Sequence, residues 1–255
     1  MIRNSFIILN RIGASKERSL WRQGILTWED FINQEKVDGI SRELKRYYDR
    51  ELELANFHLE KEIPYYFSYR LPAREHWRLY EDFKDKACFL DIETSGLKDS
   101  SIITVVSLFD GRKTKTFIRG INLEEPILRE ELSKYLVVVT YYGSVFDIPF
   151  IHRCYPSIRL TVPHLDLCFL GRRIGLCGGL KKVERDIGII RNEEIEGITG
   201  VDAVRLWKRW SLYGDRDSLE LLVEYNQADV VNLKPLAELM YERMKKAVFS
   251  EFDSK

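Results

Sequence analysis

Two acids close an apolar run at Phe89-Leu90-Asp91-Ile92-Glu93-Thr94. On a strand, Asp91 and Glu93 at spacing i, i+2 point to the same face, about 6–7 Å apart. Two carboxylates on one side of a buried strand repel each other and resist desolvation unless a cation joins them. Hard divalent ions such as Mg²⁺ favour such oxygen ligands. A third acid, Asp147, follows a second apolar run (136–140) in the stretch Tyr142-Gly143-Ser144-Val145-Phe146-Asp147, where a helix is expected to begin. A fourth, Asp229, comes four residues after Tyr225, so the two share one face of a helix within side-chain reach. Each feature alone has a plainer reading. The first is two acids at an exposed strand end, the second an acid favoured by the helix dipole, and the third a Tyr–Asp pair on an amphipathic surface.

Taken together and in this order, the acid pair, the Phe-Asp at a helix start and the late Tyr-x-x-x-Asp resemble the DEDD superfamily of 3′–5′ exonucleases, which have a ribonuclease-H-like fold. The tyrosine marks the DEDDy branch. The resemblance extends from about residue 85 to residue 245. Within that branch His164-Leu165-Asp166-Leu167, the stretches 180–188 and 197–207, and Tyr225-Asn226 are similar to a YprB-like family of exonucleases, as is 24–31 near the N-terminus.

The resemblance implies that Asp91, Glu93, Asp147 and Asp229 bind two divalent ions, Mg²⁺ or Mn²⁺, and that Tyr225 orients the attacking water. It implies hydrolysis from the 3′ end of single-stranded nucleic acid, with DNA expected ahead of RNA. Substrate contacts are expected at Thr94, Tyr142, Phe146, Asn226, Lys181 and Lys182. His164 and Asp166 have two readings: Asp166 is an accessory acid beside the site, or it caps a helix next to a structural histidine. In one respect the chain departs from the family pattern, which carries Asn before the glycine of the second motif; here that residue is Tyr142. A phenol cannot copy an amide's two donors, but it can stack on a base. The alternatives on the same scaffold are an RNA-directed or structure-selective nuclease and a catalytically inactive nucleic-acid-binding module.

Positioning these residues requires a sheet and helices. Strands are predicted at 87–92, 102–109, 113–119, 136–140 and 163–167, with Asp110-Gly111 a strong hairpin signal. Helices are predicted at 124–134, 145–154, 180–187, 201–213, 218–227 and 230–248, with Pro149 tolerable only in a first turn. The result is an α/β fold, a mixed sheet flanked by helices, over 85–250. Residues 1–84 read as a helical region. Ser15 is expected to cap a helix that Gly24 stops, and Thr27 and Asp30 form a capping box. One long charged helix follows over 41–61, with Leu44, Tyr47, Tyr48, Leu52, Leu54, Ala55 and Leu59 as its apolar face. The aromatic run 65–67 is expected to pack rather than to bind. The turn at Ile12-Gly13 looks like part of a helix–hairpin–helix.

The 255 residues are 45% apolar, enough for a substantial core without metal or disulfide staples. Forty basic residues balance forty acidic ones, which excludes a histone-like coat but not a local basic groove. Such a groove is sought at Arg172, Arg173, Lys181, Lys182, Arg205, Lys208 and Arg209. The four cysteines form no CxxC pair and read as reduced thiols. No apolar run is long enough to span a bilayer. A cytoplasmic monomer with no membrane association is expected.

Overall fold

The computed structural model describes residues 1–253. Five strands, β1 (Ala87–Thr94), β2 (Ile103–Phe109), β3 (Thr114–Ile118), β4 (Val137–Thr140) and β5 (His164–Asp166), form one sheet in the order β3-β2-β1-β4-β5. β1 to β3 are antiparallel, whereas β4 and β5 run parallel to β1. The Asp110-Gly111 turn joins β2 to β3 as expected. The Asp110 carboxylate accepts from the N–H groups of Arg112 and Lys113, both at 2.8 Å.

Alternation along β1 divides the core. Cys88, Leu90 and Ile92 pack with Val106, Leu108, Leu128, Phe150 and Ile151 on one face. Ala87 and Phe89 pack on the other with Val137, Val139, Val230, Leu233 and Met240. Asp91 and Glu93 continue this second row, so period-2 geometry sends both carboxylates toward the helix that covers it. At the end of β1 the register slips: Glu93 faces Val105, but Thr94 faces Ile103. Thr104 is thus an extra residue on β2, a bulge beside the acid pair.

The helices are α1 (Ala14–Arg22), α2 (Trp28–Asn33), α3 (Arg42–Glu60), α4 (Tyr65–Arg70), α5 (Tyr80–Phe83), α6 (Glu125–Leu132), α7 (Asp147–Cys154), α8 (Leu167–Arg172), α9 (Leu180–Asp186), α10 (Glu193–Glu196), α11 (Gly200–Tyr213) and α12 (Arg216–Asp253). The two helices expected over 218–227 and 230–248 are in fact one, the 38-residue α12, which runs through Pro235. Its buried residues Leu222, Asn226, Val230, Leu233, Ala237, Met240 and Met244 recur at three or four positions without a phase break. Packing against the sheet therefore overrides the missing hydrogen bond at the proline.

Three local expectations at the N-terminus meet different outcomes. Thr27 and Asp30 form the capping box of α2, and Ser41 caps α3 by accepting from the Leu44 N–H. Helix α1 starts two residues early: its N-cap is Gly13, and Ser15 lies inside the first turn. On α3, Tyr48, Leu52, Ala55 and Leu59 are buried, while Tyr47 and Leu54 fall outside that stripe and are exposed. In the aromatic run Phe67 is buried and Tyr66 stacks on His58.

The region 1–84 shares its core with the sheet domain. Trp21 packs against Phe249 and Trp77 against Tyr241, both partners on α12. Buried Glu17 accepts from the Phe6 N–H (2.7 Å), from Ser5 Oγ (3.1 Å) and from Arg78 Nη2 (3.0 Å). Arg78 Nε donates in turn to Glu75 at 2.8 Å. Cys88 and Cys168 are buried, Cys177 is exposed, and all four thiols are free.

Candidate active site

The end of β1 and the middle of α12 build the acidic cluster. Asp91, Glu93 and Asp229 each offer a carboxylate oxygen, and these atoms lie within 4.8 Å of one another. Asn226, one turn before Asp229 and fully buried, donates from Nδ2 to Asp91 Oδ2 at 2.6 Å. The Glu93 carboxylate receives no hydrogen bond among the described residues. Asn226 was expected to touch substrate; the structure makes it a brace for Asp91.

Asp147 stands beside this trio rather than within it. At the first position of α7 it is almost fully buried, and its Oδ1 accepts from the Ile92 N–H at 3.1 Å. That bond ties α7 to the strand between the two β1 acids. Of the four acids expected to form the cage, three have oxygens within 4.8 Å of one another, and the fourth, Asp147, is bonded to the strand between Asp91 and Glu93 and adds its charge to theirs. Phe146, half-buried, packs on Phe150. Pro149 lies in the first turn of α7, where its missing donor costs nothing.

The loop from β4 to α7 explains the departure at Tyr142. Its backbone is left-handed (φ 66°), a conformation in which Asn is enriched and bulky residues are rare. Asp166 holds the loop there by accepting from the Tyr142 N–H (2.9 Å) and the Ser144 N–H (3.0 Å). The Tyr142 ring stacks on Phe169 with centroids 6.0 Å apart. Gly143 has no substitute, because a Cβ would sit 2.2 Å from Thr140 Oγ1. Asp166 also caps α8 by accepting from the Cys168 N–H. His164 Nε2 bonds Thr140 Oγ1 at 2.8 Å, and burial pushes its pKa down to about 4. Of the two readings of this pair, the geometry matches the helix cap and the structural histidine.

Five of the seven basic residues have local partners. Lys181 donates to the carbonyls of Glu196 and Ile198 and lies 4.8 Å from the Tyr225 ring centre. Lys182 pairs with Asp186, Arg205 with Asp202, and Arg209 with Asp215. Arg173 is bound to Glu75 and to the Arg74 carbonyl. Thr94 donates to the Gly96 carbonyl at 2.9 Å and closes the strand end.

Sequence reasoning missed Arg191. It is buried, forks onto Glu184 (both bonds 2.6 Å), and reaches Asp229 Oδ1 from Nη2 at 2.5 Å. Nothing local marks it, because its partners lie 7 and 38 residues away.

Burial pushes Asp91 and Glu93 well above the ordinary carboxylate range, and the charges of Asp229 and Asp147 push them further. Burial takes Asp147 to about 7 against the pull of the Ile92 N–H. It takes Asp229 to about 6 against the nearby Arg191. Buried acids that resist ionising together form a donor set for a hard cation, whose charge reverses that resistance. A divalent ion fits the trio on chemistry and spacing. Tyr225, on the same helix face as Asp229, has its pKa raised by burial and by these acids, so its phenol stays protonated and remains a hydrogen-bond donor.

A family model described as RNase_H superfamily matches residues 88–241. No curated protein matches. Among solved structures, the family B DNA polymerase from the hyperthermophilic archaeon Pyrobaculum calidifontis aligns with a TM-score of 0.50 and 16% identity, over 60% of this chain. The alignment takes in 24% of that polymerase, so this chain corresponds to a minor part of it. A structure described as the apo form of a nuclease aligns with a TM-score of 0.49 and 19% identity, over 72% of this chain and 83% of its own.

Proposed function

Because the chain belongs to the RNase_H superfamily, we propose that it is a metal-dependent 3′–5′ exonuclease acting on single-stranded nucleic acid, with DNA ahead of RNA. The observation that carries this reading is the convergence of Asp91, Glu93 and Asp229 with Tyr225 on the helix face beside them. Three largely buried carboxylates with oxygens within 4.8 Å of one another are costly for a fold unless a cation joins them.

Asp91 and Glu93 present oxygens from the rigid strand, and Asp229 faces them from α12. Asn226 fixes the angle of Asp91. Asp147, held at the start of α7 by the Ile92 N–H, is the fourth carboxylate of the metal-binding set. Two divalent ions, Mg²⁺ or Mn²⁺, supply when bound the positive charge that a phosphodiester needs as charge builds on its oxygens. Tyr225, protonated, donates to and orients the attacking water rather than removing its proton. Tyr142 and Phe169 offer a partly exposed stacking surface for a base of the strand.

End-labelled single-stranded DNA and RNA, incubated with Mg²⁺, Mn²⁺ or chelator, test this. A ladder shortening from the 3′ end, dependent on metal and lost in Asp91→Ala and Asp229→Ala, is expected. Binding without cleavage under every metal would identify an inactive binding module instead. Laddering of RNA alone would reverse the substrate preference.

A further inference from the structure

The N-terminal region meets the sheet domain in a seam beside the β4–α7 loop. Arg173, just after α8, donates to the Arg74 carbonyl at 2.7 Å and to Glu75 Oε1 at 3.2 Å. The His164 N–H, on β5, donates to His76 Nδ1 at 3.2 Å. These bonds hold residues 73–77 against β5 and α8, and a pocket of about 250 Å³ is left between them. Ala73, Arg74, Trp77, Ser144, Phe169 and Leu170 line it, over His164 and Asp166. Drug-sized ligands occupy about 300–1,000 Å³, so this pocket suits a single flat group the size of a nucleobase. Ser144 and Asp147 are three residues apart, a span of at most about 11 Å.

The pocket walls are aromatic and aliphatic, and the polar groups behind them are already spent. Asp166 accepts four hydrogen bonds, from the N–H groups of Tyr142, Ser144 and Cys168 and from Ser144 Oγ. His164 Nε2 is bonded to Thr140. A guest gains stacking and apolar contact there, but its edges are not read by these groups. The rim is cationic. The Arg74 side chain is 80% exposed and its Nε lies 3.8 Å from Glu75, beyond hydrogen-bond reach. Arg172 lies over the Phe169 ring, 5.1 Å from its centre, and has no acidic partner among the described residues. Arg74 also lines a wider groove of about 680 Å³ together with Arg11, Tyr47 and Tyr69. Aromatic walls under exposed arginines complement a single strand, whose bases have π-faces and whose phosphates are anionic.

We propose that the seam pocket takes one base of the substrate strand, upstream of the nucleotide being removed, by stacking and shape alone, with Arg74 on an adjoining phosphate. This rests on the exonuclease reading above: with the 3′ end at the acids, every other base lies upstream of it. The N-terminal region then forms part of the substrate site, and the pocket accepts all four bases.

Fluorescence anisotropy tests this with 5′-labelled single-stranded DNA and the full chain carrying Asp91→Asn, which halts cleavage in Mg²⁺. A single abasic site is moved stepwise from the 3′ end. One upstream position is expected to cost about 5- to 100-fold in affinity, and exchanging its base for the other three to change little. Ala73 is exposed, and Ala73→Leu narrows the pocket without adding a ring. In that background it should weaken the intact strand by a similar factor and flatten the scan at that position. Arg74→Ala should weaken all strands alike and lower the salt slope of binding by about one. A flat scan in the parent, or no binding at all, would overturn the proposal. The same sensitive position persisting in Ala73→Leu would overturn it too, by placing the base elsewhere. An unchanged salt slope in Arg74→Ala would overturn the phosphate contact. A metal-dependent 3′ ladder from the wild type would leave the exonuclease reading standing in each of these cases. No ladder under Mg²⁺ or Mn²⁺ would overturn that reading, and this proposal with it.

Discussion

Asn226 and Asp91 lie 135 positions apart in sequence, yet the amide Nδ2 of one donates to the carboxylate of the other at 2.6 Å. This bond joins α12 directly to the strand that carries the acid pair. Groups that orient a metal ligand typically matter about 10–100-fold to affinity or activity. Asn226→Ala should therefore weaken Mn²⁺ binding by about that factor with little loss of secondary structure. Calorimetry would measure it, and an unchanged affinity would remove the bracing role.

The acidic trio should cost the metal-free fold stability. With carboxyls whose folded pKa is raised, the folded state holds protons that the unfolded state has lost. Stability then falls as pH rises, for Asp147 between the ordinary Asp range near 3.8 and about 7. Above that window the full penalty applies. Asp91→Asn keeps the shape, removes one charge and lets the others relax. In chelator at pH 7.5 it should melt about 2–4 °C higher than wild type while abolishing cleavage. A lower melting temperature would contradict this account of the cluster.

Glu131 on α6 behaves in the opposite sense. Burial pushes its carboxyl up, but donors from Lys115 (2.6 Å), Lys134 (2.9 Å) and Tyr135 (2.9 Å) outweigh burial and hold it at about 2. A depressed acid stabilises the fold above its unfolded pKa, and that contribution is lost as pH falls from about 4.5 through about 2. Glu131→Gln should cost about 1–2 kcal/mol at pH 7, reduced by salt because the two lysines are exposed. The deficit should shrink in acid. Denaturant titrations at several pH values would show it, and a deficit that grows in acid would refute it.

Arg78 joins the chain's first twenty residues to the segment before β1. It is 2% exposed and pairs with both Glu17 and Glu75. Arg78→Ala leaves buried Glu17 without its cation, while Glu75 keeps Arg173, and should cost about 3–5 kcal/mol. Because both regions share one core, urea should unfold the variant and the wild type in a single transition. Two separated transitions would show that the N-terminal region folds apart.

Much of the fold was legible because its signals are local. The Asp110-Gly111 turn, the Thr27–Asp30 box and the apolar alternation around Asp91 need only neighbours a few residues away. Tyr225 and Asp229 declared their shared face through helical spacing. The rest depended on contacts that no local pattern encodes. The unbroken α12 owes its continuity to the sheet beneath it, not to its own propensities across Pro235. Arg191 could not be read, since a lone arginine in a loop looks like surface until Glu184 and Asp229 enclose it. Lys181 and Lys182 show their charge in the sequence, but not the carbonyls of Glu196 and Ile198 or the Asp186 carboxylate that they meet.

Helix α12 carries Tyr225 and Asp229 in its first half and the partners of Trp21 and Trp77 in its second. At 1.5 Å per residue it is a rod about 57 Å long. Its two halves are therefore one continuous element: the helix that the N-terminal tryptophans pack on is the same one that carries Tyr225 and Asp229 to the acid pair.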